Sequence, residues 1–318
     1  MKTVDAAPEM RRRATAAVRA RLYSTKSART FLGGVWPRAL VLAYHRLGEP
    51  EFDPFGQAVA PGTFARHLEV LQSNYRVRSL DELLRELRER RVEDGTAVVT
   101  FDDGYADVLL AGAPIAAERE VPLHLFVPVQ PILEGSRFWW DRLAAALLTE
   151  GAGRAEKCRT LQPELKRLPA EERARRLDEL LGERGQDEAA DLGRAMTPEE
   201  LLTFTSMPRM SIGAHTLSHP VLGILPAEEQ RRELAESRSA LQELTGKEVD
   251  TVAYPYGKPA DLNRDTAHLA AEAGYEAGFT TVAQPLTPRS DRFLLPRLTV
   301  HDWPEESFRE RLRTIFGY

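Results

Sequence analysis

The chain has 318 residues and a formal net charge of −5; 42% of its residues are hydrophobic and 29% are charged. This balance is typical of a soluble globular protein, excludes disorder along the whole chain and argues against nucleic acid as the main partner. Cys158 is the only cysteine, which excludes a scaffold of intrachain disulfides, and no apolar stretch approaches the roughly 18 residues of a membrane-spanning helix.

The N-terminal arm, residues 1–38, is basic. Eight Lys and Arg residues and no acidic residue lie between Arg11 and Arg38. No apolar segment follows the first charges, which argues against a secretory signal, so we expect a cytoplasmic protein. The arm is interpreted either as a segment that lies on an anionic membrane surface or as a loosely ordered terminal helix. An organelle transit peptide would have a similar composition.

Short apolar runs alternate with helical patterns from residue 39 onwards. The runs are continuously apolar, which is typical of strands buried on both faces of a parallel sheet. We predict strands at 39–44, 96–101, 121–127, 211–214, 249–254, 275–281 and 293–300. Helices are predicted over 80–91, with a capping box from Ser79 to Glu82, and over 226–245 and 260–273. The alternation predicts an α/β fold, most simply a barrel of about seven strands.

The first predicted strand ends in Tyr44-His45-Arg46. An imidazole in this position can donate a proton to a leaving group. A single histidine at a strand end more often has a structural role, so His45 is a candidate general acid only if other reactive groups meet it.

The run at 96–101 continues into the sequence TFDDG, in which Asp102 and Asp103 follow a buried strand and Gly104 permits a sharp turn. Two adjacent carboxylates repel each other, so keeping both ionised favours a bound cation or a basic partner. Alternatively, one carboxylate binds a metal while its neighbour acts as a base. A solvated Asp-Asp-Gly turn remains the plain alternative, because this composition is common in loops.

Between about residues 138 and 205 no clear strand pattern is visible, and we predict a helical insertion there. It opens with Phe138-Trp139-Trp140-Asp141. Aromatic faces suit sugar rings, so Trp139 and Trp140 are candidates for lining a cleft. Packing of the insertion onto the barrel explains them equally well, because each Trp can bury a large area.

Two histidines follow the run at 211–214, in the sequence GAHTLSH. His215 and His219 are four residues apart, and on one helical turn this spacing places both imidazoles on one face, where they can bind one ion. With one aspartate they make three protein ligands, which leaves room for water and substrate and is typical of a catalytic metal site. Such a site beside a free acid favours hydrolysis of an amide or an ester.

The remaining candidates lie near the end of the chain. Residues 254–257 read YPYG, a stiff turn that can direct a backbone N–H at a developing oxyanion. Arg297 lies in the run at 293–300, where a buried guanidinium needs an anionic partner, and Asp102 is a plausible one. His301 follows the same run.

Five of these residues share one position relative to the predicted strands. Each lies at or just beyond a carboxyl end: His45, Asp102, Asp103, His215 and Tyr256. In a parallel barrel these ends meet on one face, where active sites form. We therefore expect them to form a single site.

In this order, the motifs TFDDG, HTLSH and YPYG resemble those of the polysaccharide deacetylases of carbohydrate esterase family four, over most of residues 39–300. The resemblance implies a distorted (β/α) barrel that holds one divalent metal ion, with zinc as the expected ion. It implies a hydrolase that removes acetyl groups from an N-acetylated sugar or polysaccharide and releases acetate and a free amine.

The resemblance also implies roles for individual residues. Asp103, His215 and His219 would bind the metal, and Asp102 would be the general base. The backbone N–H of Tyr256 would help to form the oxyanion hole.

The sequence departs from the family pattern in three ways. Many members have an Arg before the Pro of the third motif, and here the sequence is AYPYG, so we hypothesise that Arg297 supplies this charge. The C-terminal Leu-x-His motif that often carries the acid is only partly matched at His301, whereas exopolysaccharide-modifying members place the acid in a Tyr-His pair like Tyr44-His45. We prefer His45. The insertion lengthens the separation of Asp103 and His215.

Two other functions remain open at this stage. One is a cyclic amide or ureide hydrolase of the same superfamily, and the other is an inactive glycan-binding homologue. The sequence does not identify the sugar, the oligomeric state or the native ion, since Asp-His-His sites also accept cobalt, manganese or nickel.

Overall fold

The structure, a computed structural model, describes residues 38–135, 137–148, 151–181 and 193–316. Except for Arg38, the basic arm predicted at residues 1–38 lies outside these ranges. Its boundary, its contact with a membrane and the cytoplasmic location therefore stay predictions. In the described ranges, no helix is both long and apolar enough to cross a membrane.

The strands in the described residues are β1 (Ala39–Tyr44), β2 (Arg46–Leu47), β3 (Ala58–Val59), β4 (Arg76–Val77), β5 (Thr96–Phe101), β6 (Leu123–Val127), β7 (Met210–Ala214), β8 (Thr251–Ala253), β9 (Ala277–Phe279) and β10 (Leu298–Thr299). The α-helices are α1 (Pro61–Asn74), α2 (Leu80–Glu89), α3 (Ala113–Glu118), α4 (Val129–Glu134), α5 (Trp139–Leu147), α6 (Arg154–Leu165), α7 (Ala170–Leu181), α8 (Pro198–Ser206), α9 (Ala227–Thr245), α10 (Thr266–Glu272) and α11 (Glu305–Phe316). A π-helical turn at Val108–Gly112 precedes α3.

Seven strands form one parallel sheet in the order β10-β1-β5-β6-β7-β8-β9, and the short β4 pairs with β5 beside this path. Helical segments connect most neighbouring strands, and the sheet curls round on itself. The predicted fold class, a distorted (β/α) barrel, is confirmed. The segment predicted as an insertion contains α5, α6, α7 and α8 in its described residues.

The segment before β10 joins the two ends of the curled sheet. Its Leu295 N–H donates to the Gly278 carbonyl of β9 at 2.8 Å, and the Thr280 N–H donates back to the Leu295 carbonyl at 2.8 Å. A few residues later, β10 pairs with β1 in the register Leu42 to Leu298. Arg297 lies within this joining segment, immediately before β10.

The core is divided between the two faces of the sheet. All six residues of β1 are buried, and the first four alternate between two apolar clusters. Leu40 and Leu42 belong to the larger cluster, which the outer helices cover. Ala39 and Val41 belong to the smaller cluster, which α2 closes with Leu80 and Leu83. A continuously apolar run is therefore the pattern of a strand that is covered on both faces.

Several predicted elements are shorter in the structure, and in two of them a local reason is visible. The strand predicted at 293–300 is reduced to β10, since Pro296 has no N–H to donate to a neighbouring strand. The helix predicted at 260–273 begins only at Thr266. The Asn263 Oδ1 atom accepts hydrogen bonds from the Asp265 and Thr266 N–H groups at 2.9 and 3.2 Å. These bonds form a turn before the helix, so the helix begins only after it. The capping box from Ser79 to Glu82 is confirmed.

Candidate active site

The acid pair lies in a sharp turn directly after β5. Asp102 and Asp103 are both 2% exposed. Asp103 has φ 70° and Gly104 has φ 69°, so two successive residues adopt the left-handed conformation. For an aspartate this conformation is uncommon, and such strain is concentrated at functional sites. The turn separates the two carboxylates and points them at different partners.

Asp102 is paired with Arg297. The two guanidinium nitrogens Nη1 and Nη2 lie 2.7 Å from Oδ1 and Oδ2 of Asp102, a bidentate pair. Arg297 is fully buried, and it also donates to the Thr280 carbonyl and to Thr100 Oγ1, each at 3.2 Å. Burial raises the pKa of the Asp102 carboxyl, but Arg297, together with the nearby His215 and His45, outweighs it and holds the pKa below its ordinary value. Asp102 is therefore kept ionised.

Asp103 faces the two histidines. Its Oδ1 lies 3.4 Å from His215 Nε2 and 3.2 Å from His219 Nε2, and one ligand atom from each residue lies within 4.8 Å of the other two. All three side chains are buried, yet Asp103 Oδ1 has no hydrogen-bond partner in the described part of the chain. A buried carboxylate oxygen without a partner, facing two imidazole nitrogens, fits a divalent ion as the common ligand.

The pKa directions agree with this interpretation. Burial raises the pKa of Asp103, but the neighbouring His215 and His219 outweigh it and hold the pKa far below the ordinary value. Burial lowers the pKa of His219, which favours its neutral form. An ionised carboxylate and a neutral imidazole are the protonation states in which these groups bind a metal.

The histidine motif is a loop. The prediction that His215 and His219 share a helical turn is wrong, because Thr216 and His219 have φ 67° and 60°. Instead, Glu233 of α9 accepts hydrogen bonds from the Leu217 and Ser218 N–H groups, both at 2.9 Å, and fixes the loop. Sequence reasoning did not identify Glu233, since nothing in the pattern of α9 distinguishes it from its neighbouring acids.

Each histidine ring has a defined environment. His215 Nδ1 donates to the Ala253 carbonyl of β8 at 2.7 Å, which leaves its Nε2 lone pair free toward Asp103. His219 lies against aromatic rings, with centroid distances of 4.9 Å to Trp140 and 5.0 Å to Tyr256.

The two candidate acids are placed differently. His45 follows β1 and is close enough to Asp102 and Asp103 to lower the pKa of both carboxyls. Its buried Nδ1 has no hydrogen-bond partner among the described residues. His301 Nδ1 instead donates to the Gly56 carbonyl at 2.6 Å, and its ring packs against Trp303. The geometry favours His45 as the group beside the acid pair.

The third motif forms a tight turn beyond β8. Tyr256 has φ 60°, and the Gly257 N–H donates to the Pro255 carbonyl at 2.7 Å. A Cβ atom on Gly257 would lie 2.7 Å from the Thr281 nitrogen, so the turn requires glycine. In the described residues, the Tyr256 N–H donates to no acceptor, so it remains available to an oxyanion.

The insertion contacts this turn. Trp139 Nε1 donates to the Tyr256 hydroxyl at 3.2 Å, and Lys166 Nζ lies 4.4 Å from the centre of the Tyr256 ring. Trp139 and Trp140 are buried, as expected for packing, and both also border a cavity that reaches His219. The two interpretations of this aromatic pair are therefore compatible.

Another buried group next to the site, His124 on β6, was not identified from the sequence. Its ring nitrogens bond to Ser211 Oγ at 2.8 Å and Thr251 Oγ1 at 3.0 Å. Burial and, to a smaller extent, the charge of Arg297 lower the pKa of His124 to about 3. A neutral imidazole beside Arg297 leaves Asp102 as the counter-ion of that arginine.

A family model described as polysaccharide deacetylase matches residues 89–278, more than half of the chain. The chain belongs to the polysaccharide deacetylase family. The resemblance found in the three motifs is thereby confirmed. The family match includes the acid pair, both histidines and Tyr256, whereas His45 and Arg297 lie outside the matched residues.

Relatives of the chain are also named as deacetylases. YxkH of Bacillus subtilis (strain 168), named as a polysaccharide deacetylase, is 26% identical over 114 residues, which are 34% of this chain and 40% of that protein. The alignment thus spans well under half of the curated relative.

Two solved structures show the same fold over most of the chain. The Streptococcus pyogenes deacetylase PplD, solved in complex with acetate, has a TM-score of 0.60 and 17% identity, over 87% of this chain and 99% of that chain. IcaB from Ammonifex degensii has a TM-score of 0.60 and 19% identity, over 89% of this chain and 98% of that chain. At these identities, the likeness establishes a common fold.

Proposed function

We propose that this polysaccharide deacetylase family member is a metal-dependent N-deacetylase that hydrolyses the acetamide of an N-acetylated sugar or glycan. The observation that carries the proposal is that the two adjacent carboxylates have different partners. Asp102 is held ionised by Arg297, while Asp103 meets His215 and His219 without a hydrogen bond of its own. The proposed base therefore lies next to a set of three candidate metal ligands without being one of them.

The ion we propose for the site is zinc, which suits one carboxylate and two imidazoles with a position left for water. Such an ion lowers the pKa of water and polarises an acyl carbonyl. Asp102 takes the proton of the attacking water, and the Tyr256 N–H donates a hydrogen bond to the oxyanion. His45 gives a proton to the departing nitrogen, so that acetate and a free amine are released.

The assignment of Asp102 as the base is tested with Asp102→Asn. The variant keeps the shape of the side chain and loses the proton acceptor, so acetate release from N-acetylated sugars and polymers should fall by about 10²–10⁴-fold. Metal content, measured by elemental analysis, should be unchanged, because Asp102 is not one of the three ligands. Circular dichroism checks the fold. Unaltered activity would remove Asp102 as the base.

The assignment of His45 as the acid is tested by comparing His45→Ala with His301→Ala. We expect about a 10²-fold loss in kcat for His45→Ala and a change of only a few fold for His301→Ala, whose ring bonds to a carbonyl away from the acid pair. The reverse order of losses would assign the acid to His301.

A metal-loaded wild type that releases no acetate from any N-acetylated probe would support the glycan-binding alternative.

A further inference from the structure

A cavity of about 280 Å³ lies between the insertion and the metal-site histidine His219. Trp139 and Trp140 form an aromatic wall, and Arg137, Arg142 and Arg173 also line it. The cavity therefore continues directly from the proposed reaction centre into a basic, aromatic chamber. Its size is near the lower end of the usual range of small-molecule sites.

Arg173, on α7, is only 9% exposed. Its guanidinium carbon lies 5.5 Å from the centre of the Trp139 ring. Among the described residues it has one hydrogen bond, a long contact of 3.5 Å to the Leu168 carbonyl, and no carboxylate forms an ion pair with it. A buried charge without a counter-ion is costly, and an anion that enters the cavity would offset that cost.

The other charges at the cavity do not neutralise Arg173. Arg142 is paired with the exposed Asp178 at 2.8 Å, and Arg137 adds a further positive charge. Glu134 is the acidic residue that lines the cavity, and it is exposed. A planar guanidinium positioned over an indole ring is well suited to hold a carboxylate or a phosphate beside a sugar ring.

We propose that Arg173 and Trp139 form a subsite for an anionic group of the substrate, so that the preferred substrate is an N-acetylated glycan carrying a carboxylate or phosphate near the acetamide. This inference rests on the proposed N-deacetylase function, because it places the anion next to the acetamide that is hydrolysed.

The test compares three probes: N-acetylglucosamine, which is neutral, N-acetylmuramic acid, which carries a carboxylate, and N-acetylglucosamine 1-phosphate. The variant is Arg173→Met. The matched control is Arg176→Met on the same helix, where Arg176 pairs with Glu164 and Glu179 and does not line the cavity. Acetate release gives kcat/KM, and calorimetry gives the binding affinity.

We expect wild type to prefer at least one acidic probe over the neutral one, and Arg173→Met to lower kcat/KM for that probe by about tenfold or more. The neutral probe should change by less than about twofold, and Arg176→Met should match wild type. The acidic probe that loses more identifies the anion as carboxylate or phosphate. An equal loss on all three probes, or no loss on any, would overturn the subsite.

The binding measurement separates this inference from the proposed function. If no probe releases acetate but an acidic probe binds about tenfold more weakly to Arg173→Met, the subsite stands and the deacetylase proposal fails. If acetate is released and charge makes no difference to binding, the subsite fails and the deacetylase proposal stands.

Discussion

Arg297 and Asp102 are 195 residues apart in the sequence and form a buried ion pair. The guanidinium N–H groups supply the hydrogen bonds that water would give to an exposed carboxylate. The bidentate geometry does two things at once. It favours the ionised carboxylate, and it fixes the plane of the carboxylate relative to Asp103 and the two histidines. The remaining bonds of Arg297, to Thr100 and to the Thr280 carbonyl, prevent it from turning away.

Removing the charge of Arg297 should move the acid limb of the activity profile to higher pH. As the proposed base, Asp102 would act in its carboxylate form, and Arg297 lowers its pKa against the effect of burial. Without that charge, only His215 and His45 oppose the effect of burial and the pKa of Asp102 rises, so activity is lost at a higher pH as the solution is acidified. We expect a shift of about 1–3 units in the kcat/KM profile of Arg297→Met, and a smaller one for Arg297→Lys.

Two further readouts separate this effect from general damage. The metal content of Arg297→Met should fall much less than its turnover. Breaking a buried ion pair costs about 3–5 kcal/mol of stability, so urea unfolding of both variants shows which one remains folded at the assay temperature. An acid limb that stays at the wild-type pH in the folded variant would contradict the role given to Arg297.

The residues of the candidate site differ in how far the sequence could predict them. Asp102, Asp103 and the two histidines were predictable because each directly follows a buried apolar run, and the ends of parallel strands meet. Glu233 and His124 were not predictable in the same way. Glu233 acts through backbone N–H groups of a loop, and His124 lies within an apolar run, so the role of each depends on the register of the packed elements.

At the scale of elements, a buried polar network anchors the insertion to the barrel. Asp141, at the start of α5, accepts a hydrogen bond from the Tyr105 hydroxyl at 2.7 Å, and Trp140 Nε1 donates to the same hydroxyl at 2.8 Å. Arg46 lies 3.7 Å from Asp141 and 3.4 Å from Asp107. Three elements, β2, the turn after β5 and α5, therefore meet around two carboxylates and one guanidinium.

This network should make stability depend on pH in a recognisable way. Burial raises the pKa of Asp141 to about 7, although Arg46 and Tyr105 oppose it. In the unfolded chain the pKa is about 3.9, so between these values the native state binds more protons than the unfolded state. The contribution of Asp141 is therefore present in full below about pH 4 and is lost as the pH rises to about 7.

Asp141→Asn should remove that dependence. Asparagine stays neutral and can still accept the Tyr105 hydrogen bond, so the unfolding free energy of the variant relative to wild type should improve by about 1–4 kcal/mol between pH 4 and pH 8. Urea unfolding at several pH values measures the difference. Asp178→Asn, at an exposed carboxylate, is the control and should show no such trend. A difference that is constant with pH would contradict the raised pKa.

At the scale of the whole molecule, metal binding should couple the two halves of the sheet. Asp103 follows β5 and the histidines follow β7, so an ion bound by all three stabilises only the folded arrangement. At free zinc about 1,000-fold above the dissociation constant, the native state gains about 4 kcal/mol. For a chain of this size, with about 2.1 cal/mol/K of unfolding entropy per residue, that corresponds to a rise in Tm of roughly 6–7 °C.

Thermal unfolding after chelation and after zinc is restored measures this linkage without any assay of activity. Asp103→Asn should abolish the zinc-dependent rise in Tm, while His301→Ala should keep it. A rise of equal size in wild type and Asp103→Asn would show that zinc binds elsewhere.

The fold class could be predicted from the sequence because strands covered on both faces appear as continuous apolar runs. The helices between them show apolar residues at helical spacing. Element boundaries were less accessible. Pro296 and Asn263 each change which backbone groups can form hydrogen bonds and so move an element boundary. The pattern of apolar residues gives no sign of this. Placement of the insertion over the Tyr256 turn was also beyond prediction, since it depends on individual contacts such as those of Trp139 and Lys166.

The segment that joins β9 to β1 also brings in Arg297, and this has a consequence for synthesis and for engineering. A nascent chain that has not yet emerged past residue 297 lacks the partner of Asp102, its proposed base, however well its earlier strands have assembled. On the proposed mechanism, competence for the reaction therefore requires a chain that extends past residue 297. Any shortened form that ends before this segment should be catalytically silent, even if it retains every proposed metal ligand.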